Sequence, residues 1–352
     1  MNPPAANTNP NGDMVVANSP SDTISSMLFS PTANFLATAS WNKEVAVYEV
    51  QATGATLPKA KVQHTHPVLA VDWSGDGSQV VSGGTDSLCK LWNLASNQEI
   101  TIGQHAAPIK SVHFVKEMNL VVTGSFDKTI KYWDMRQATP AANIQLNERV
   151  YAMDVKHPVL AVATATVPES VVERGATRID KKNKIFVYDL SNPSAPFRVV
   201  ESPLKFQHRC LSIFPDKSGF AVGSVEGRVA ISHVAEKDLQ KNFAFKCHRQ
   251  DNDIYAVNSI AFHPYGTFAT AGSDGVYTFW DKDAKQRLKL FARGPNSITA
   301  GCFNPQGTIY AYALGYDWSK GVEYYQRQRE PNTIMLHAVQ DAEIKKKVAA
   351  GR

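Results

Sequence analysis

A hydroxyl, an imidazole and a carboxylate in one chain invite a reading as an acyl-transfer triad, in which histidine takes a proton from the nucleophile and aspartate orients the ring. This chain carries such types at a fixed spacing: Thr38 with Asn42, Ser82 with Asp86, Thr123 with Asp127, and Thr270 with Asp274. His64, His105 and His248 stand upstream of the last three pairs. Catalysis needs one such set, and here the set recurs, so the chemistry indicated is mutual satisfaction of half-buried polar groups. No glycine-rich phosphate loop joins a strand to a helix, and Cys89, Cys210, Cys247 and Cys302 are too scattered to form a CxxC metal pair. The expectation is a non-enzymatic protein with no metal and no cofactor, its thiols reduced and mostly buried.

The elements that must position these residues are short strands in a repeat. "FSPTANFLATASWNKEVAVYEV", "WSGDGSQVVSGGTDSLCKLWNL", "FVKEMNLVVTGSFDKTIKYWDM" and "FHPYGTFATAGSDGVYTFWDKD" share one plan. Each runs from an aromatic through a turn, an apolar-small strand and a polar turn to an alternating strand that ends at Trp or Tyr. The closing positions Tyr48, Trp92, Trp133, Tyr188, Ser232, Trp280 and Tyr324 recur roughly every 44 residues, close to the ~40–45-residue period of propeller blades. With "KYWDM" showing the Trp-Asp dipeptide, the chain resembles WD-repeat proteins. The expected fold is all-β, a seven-bladed WD-repeat β-propeller over 13–338, with "DMVVANS" supplying an N-terminal strand that closes the last blade. In that family Trp, Ser/Thr, His and Asp form one hydrogen-bonded chain, which makes the three histidines structural. Residues 1–12, rich in Pro and Asn, read as a disordered extension, and 339–352 as a short basic solvated tail. "TATVPESVVERGATRIDKKNK" is an insertion of about 12 residues beyond ordinary loop length, placed on the rim of blade four. Its basic part, Arg174 to Lys184, reads as a solvated loop.

Strand residues of such blades are spent on packing, so function is sought at turns. Turns of one face would present Trp41, Thr85, Phe126, Glu226 and Arg228, and the blade entrances Arg149, Tyr151, Arg209 and Tyr255. Aromatic and arginine side chains together are the anchors protein interfaces use. Trp41, at the tip of a polar turn, is read as an exposed anchor for an extended partner. A second cluster, Phe245, Lys246, Arg249, Trp280, Lys282 and Lys285, interleaves rings with cations, as a surface for single-stranded nucleic acid does.

"DSLCKLWNL", "ERVYAMDV", "GSVEGRVAI", "FKCHR", "IAFHPYGTFATAGSDG", "FWDKDAK" and "YDWSKG" resemble the Rae/Gle messenger-RNA export factors of the nuclear pore, over about Asp13 to Ala338. That resemblance implies a monomeric propeller in a heterodimer with an FG-repeat nucleoporin, whose GLEBS segment it binds, located in the nucleus and at the pore. By the same resemblance Arg228 would pair with a glutamate of that segment and Trp41 would pack on its backbone. The cluster from Phe245 to Lys285 would line a groove for RNA. The Bub-type mitotic checkpoint propellers, which bind GLEBS-like segments of checkpoint kinases, are the neighbouring reading, and mitotic partners go with it. "SWN" in place of Ser-Trp-Asp and "AISHV" in place of a Trp-Asp strand end are departures from the pattern.

Composition agrees with a folded protein. Of 352 residues 43% are apolar and 20% charged, and 37 basic against 32 acidic residues leave a net charge of +5, a weak bias toward polyanions. No run approaches the ~18 apolar residues of a membrane span, and the start "MNPPAANTNPNGD" has no secretory pattern, so an intracellular protein without membrane insertion is expected.

Overall fold

Strands such as Phe35–Ser40 and Gln79–Gly84 are apolar or small on both faces, and both faces are buried, because each is the second strand of a sheet stacked between two others. The computed structural model of the chain describes residues 9–137, 139–173, 176–325 and 332–346. Among them are seven four-stranded antiparallel sheets. The first is formed by Ile24–Phe29, Phe35–Ser40, Glu44–Val50 and Thr56–Gln63, with neighbours in space following chain order. The innermost strands pack side by side in a closed ring, first against last, so the fold is a seven-bladed β-propeller. Apolar clusters fill each gap between neighbouring blades; Val80 and Trp92, for example, pack on Ala37 and Val47. Burying these aliphatic and aromatic side chains stabilises the stack by roughly 25 cal/mol per Å² of apolar surface.

The last blade is shared by the two ends of the chain. Ile298–Phe303, Ile309–Leu314 and Thr333–Ala338 are completed by Met14–Val15, which pairs antiparallel with the third strand in the register Met14 to Leu336. Asp13 fixes this closure. Its carboxylate accepts from the hydroxyls of Tyr277, at 3.1 Å, and Tyr312, at 2.8 Å, and lies 2.7 Å from His337 Nδ1. His337 Nε2 lies 3.0 Å from Glu343 Oε2, so one imidazole ties the first strand to the segment after the last.

Several expectations change. The seventh strand-end position is His337, which pairs with Tyr310 as Trp92 pairs with Val80; Tyr324 lies on the short helix Val322–Tyr325 in a long loop before that strand. The packed body runs beyond residue 338, because Ile344 on the helix Asp341–Ile344 is 1% exposed in the core between blades six and seven. At the other end, Asn9–Gly12 form a turn and Asn11 exchanges two bonds with Ala292, while residues 1–8 lie outside the described residues. The insertion of blade four is an antiparallel hairpin, Val167–Glu173 with Ala176–Lys182, and Arg174 lies outside the described residues. No described helix is long and apolar enough to cross a membrane. All four cysteines are free, and Cys210 alone is only partly buried.

Candidate interaction face

The recurring polar set builds the turns of one face. In blade three Trp133 Nε1 donates to Thr123 Oγ1 at 2.8 Å, Thr123 Oγ1 is 2.7 Å from His105 Nε2, and His105 Nδ1 is 2.8 Å from Asp127 Oδ2. The hydroxyl accepts from the indole and donates to the ring, so Nδ1–H donates to the carboxylate and the imidazole is neutral. Burial lowers the His105 pKa in agreement with that tautomer, against the pull of Asp127. Blade six repeats the arrangement with Trp280, Thr270, His248 and Asp274. Blade two departs from it: His64 bonds Ser82 and Asp86, but the Trp92 indole donates to Asn97 at 3.1 Å. With each hydroxyl committed inside its blade, these sets hold turns and leave no nucleophile.

Those turns align seven equivalent backbone donors. The N–H groups of Trp41, Thr85, Phe126, Ala165, Val225, Ser273 and Gly315 each donate to the strand entering the same blade, at 2.8–3.0 Å. The equivalent positions carry aromatic rings in blades one and three and smaller side chains, or none, in the other blades. The innermost strands add a second ring below. In every blade the register slips by one residue near the strand's start, at Ser25, Leu69, Lys110, Tyr151, Arg209, Asn258 and Thr299. A bulge re-aims its extra residue, and all seven line a cavity of about 380 Å³ at the mouth of the central channel.

That cavity brings together Trp41, Phe126, Tyr151 and Arg209 of the expected anchors. Trp41 is 39% exposed, and Phe126 meets Tyr151 edge-on at 6.1 Å. Arg149 lies over the Tyr151 ring at 5.6 Å. The sequence reading missed Trp318, a lining residue that is 40% exposed and stacks on Tyr325 at 4.8 Å. Its signal was the run of rings Tyr316, Trp318, Tyr324 and Tyr325 around "YDWSKG".

Arg228 and Tyr255 are not in that cavity; they form a cationic rim on blades five and six. Gly227 carries φ +62 with the carbonyls of Cys247, Tyr255 and His248 where a Cβ would stand, so only glycine lets the turn deliver Arg228 there. Arg228 Nε lies 3.6 Å from Glu226 Oε2, and Arg249 braces the turn through Nη2, donating to the Glu226 carbonyl at 2.7 Å. Arg293, also missed from sequence, lies over the Tyr255 ring at 5.5 Å.

The second expected cluster is split. Phe245 and Trp280 meet at 4.7 Å, and with Lys246 and Lys285 they line a cavity of about 120 Å³ at the outer edge between blades five and six. Lys285 lies over the Phe243 ring at 5.0 Å. Arg249 belongs to the Arg228 turn instead. Lys282 lines the same cavity but is 8% exposed, its ammonium lying 2.6 Å from Asp283 and over the Phe214 ring at 4.8 Å. Its charge is committed within the protein.

The WD domain, G-beta repeat family matches residues 13–49, 57–93, 96–134 and 239–281. Whole-chain relatives are far more specific. "Protein RAE1" of Arabidopsis thaliana is 50% identical over 99% of this chain and 97% of its own length. "Poly(A)+ RNA export protein" of Schizosaccharomyces pombe is 47% identical over 97% of the chain and 94% of its own length. This chain belongs to the RAE1 messenger-RNA export factor family. The "mRNA export factor" of Danio rerio, 46% identical over 96% of the chain and 93% of its own length, is a vertebrate member. Membership extends over the blades that the repeat family leaves unmatched, so blade four's hairpin and the long loop of blade seven lie within the aligned span.

Proposed function

We propose that this chain is a non-enzymatic adaptor in messenger-RNA export that holds the GLEBS segment of an FG-repeat nucleoporin across its channel face, and so acts at the nuclear pore. The export role is supported by its relatives, which are named messenger-RNA or poly(A)+ RNA export factors. The observation that carries the peptide half is the pairing, on one face, of an exposed ring cluster at the channel mouth with the cationic rim around Arg228. An extended segment would place apolar side chains on Trp41, Phe126 and Trp318 and a carboxylate on Arg228. Such a layout gives anchors and directed charge-assisted bonds at once. The outer cavity of Phe245, Trp280, Lys246 and Lys285 is proposed to take single-stranded RNA as a secondary surface.

The test is calorimetric titration of the purified chain with a nucleoporin GLEBS peptide and with the corresponding segment of a checkpoint kinase. Preference for the nucleoporin peptide, lost in Arg228→Glu, is expected. Preference for the kinase peptide would move the chain's role to the mitotic checkpoint, and binding of neither would remove the peptide reading.

A further inference from the structure

A cavity of about 400 Å³, within the size of small-ligand sites, opens between blades five and six. Its turns, at Asp216 and at Tyr265, lead into the strands Gly219–Ser224 and Phe268–Gly272, whose far ends carry the channel-face turns at Val225 and Ser273. The cavity therefore lies on the face opposite the channel mouth. Lys241 pairs with Asp238 at 2.7 Å, and Asp283 takes both Lys282 at 2.6 Å and Lys346 at 2.5 Å. Asp216 has no ion pair among the described residues; its Oδ1 accepts from the Ser218 N–H at 3.0 Å and hydroxyl at 2.7 Å. His233, 7% exposed, stands in the wall. Its backbone N–H donates to Asn242 Oδ1 at 2.7 Å, and Nδ1 lies 3.1 Å from the same oxygen, so Nδ1 carries the proton. In the neutral ring Nε2 keeps its lone pair, and it has no hydrogen-bond partner among the described residues.

A carboxylate without a cation and an imidazole lone pair without a donor give this cavity unused acceptors. Tyr265, 46% exposed, adds a ring that already draws the Lys345 ammonium to 5.7 Å. We propose that the cavity takes the guanidinium of an arginine from a basic segment of a partner protein, in exchange for Lys346. A planar fork of five donors serves a carboxylate and a ring nitrogen together while its plane lies on an aromatic face, which a lysine ammonium does not. Lys346 is the resident cation, placed at the rim by the tail that follows the buried Ile344. Both members of its pair with Asp283 are about half exposed, so the pair is weak and open to exchange. One cation replaces another, and the charge balance of the cavity is kept. An RNA phosphate would instead meet Asp216, Asp238 and Asp283.

The acceptors are charged and held in place before any ligand arrives. Burial opposes the charge of Asp216, but the Ser218 bonds outweigh it and keep the carboxyl below its ordinary range. The His233 ring meets Phe214 edge-on at 5.4 Å, and the Lys282 ammonium covers the same ring at 4.8 Å. Lys282 thus forms a wall shared with the outer cavity of Phe245 and Trp280, yet the two cavities suit ligands of opposite charge. The chain as a whole carries +5, so its overall field does not draw a basic segment, and only a local site can hold one. This site depends on neither the peptide nor the RNA surface proposed above.

The experiment is calorimetric titration of the full chain at low salt with a capped Gly-Arg-Gly-Arg-Gly peptide and with its lysine counterpart. Lys346→Gln, Asp216→Asn and Arg228→Glu are the variants, each checked by thermal melt. Removing the resident cation in Lys346→Gln is expected to tighten arginine-peptide binding at least threefold. Asp216→Asn, which keeps an oxygen for Ser218, should weaken it at least tenfold, and Arg228→Glu, on the opposite face, should leave it unchanged. The lysine peptide should bind several-fold more weakly than the arginine peptide. Absence of binding even in Lys346→Gln, or wild-type affinity in Asp216→Asn, overturns the site. Equal affinity for the two peptides overturns the guanidinium as the group recognised, and affinity unchanged in Lys346→Gln overturns the exchange with the tail.

Discussion

Arg228 and Lys246 stand directly opposite one another in the antiparallel ladder between the third and fourth strands of blade five. Like charges so placed repel, and the nearest counter-charge, Glu226, reaches Arg228 only at 3.6 Å. Within its own blade the pair is only loosely neutralised.

Arg228→Glu therefore costs binding and not folding. The melt is expected to shift by no more than about 2 °C, since the side chain is partly exposed and loses a repulsive neighbour. Affinity for the GLEBS peptide should fall by roughly thirtyfold or more, corresponding to about 2–5 kcal/mol for a desolvated charge pair. Calorimetry beside a thermal melt reads both. Unchanged affinity would remove Arg228 from the interface.

How far the sequence discloses this face depends on what each feature leaves in the letters. Blades are legible because Trp133 and Trp280 recur with their Thr and Asp partners at fixed offsets, and the closing strand because "DMVVANS" is an apolar run outside the seven units. His337 was hidden by the long loop before it, which put Tyr324 near the expected spacing. Of the channel ring only Tyr151 and Arg209 are legible, as blade-entrance residues; Lys110 and the others are hidden, since a one-residue slip changes which face they point to without altering composition. The burial of Lys282 is equally hidden: its place beside Trp280 suggests exposure, and only the fold shows Asp283 and Phe214 packed against it.

The histidine sets separate structure from function in a second test. His105→Ala removes the link between Thr123 and Asp127 inside blade three and should destabilise the chain by about 1–3 kcal/mol. His64→Ala should cost less, because Trp92 already bonds elsewhere in blade two. Peptide affinity is expected to be unaffected in both at temperatures where they are folded. A folded His105→Ala protein of normal stability that no longer bound the peptide would mean the histidine contacts the partner.

At the outer edge, exposed Lys246 and Lys285 flank the Phe245 and Trp280 rings. Fluorescence anisotropy with a single-stranded RNA oligomer should show Lys246→Glu with Lys285→Glu weakening binding and flattening its salt dependence, by about 0.7 in slope for each phosphate no longer neutralised. Lys282→Gln should leave the slope alone and lower the melt, because it breaks the pair with Asp283. The reverse pattern would return Lys282 to the RNA surface.

The closure of the ring should be sensitive to pH through His337. Burial opposes its charge, but the bonds to Asp13 and Glu343 outweigh that and raise its pKa above the ordinary histidine value of about 6.5. A group whose folded value is raised stabilises fully below its unfolded value, and that contribution is lost as pH rises through the folded value. His105, His208 and His263 act in the opposite sense, because burial lowers theirs and their contribution is lost on acidification. Comparison with His337→Gln isolates the closing histidine from them. The wild-type melting temperature should exceed the variant's most near pH 6, and the gap should narrow steadily toward pH 9. A gap that stays constant or widens with pH would mean that the ring nitrogens hold Asp13 and Glu343 without carrying charge, and that the two ends of the chain are latched by neutral hydrogen bonds alone.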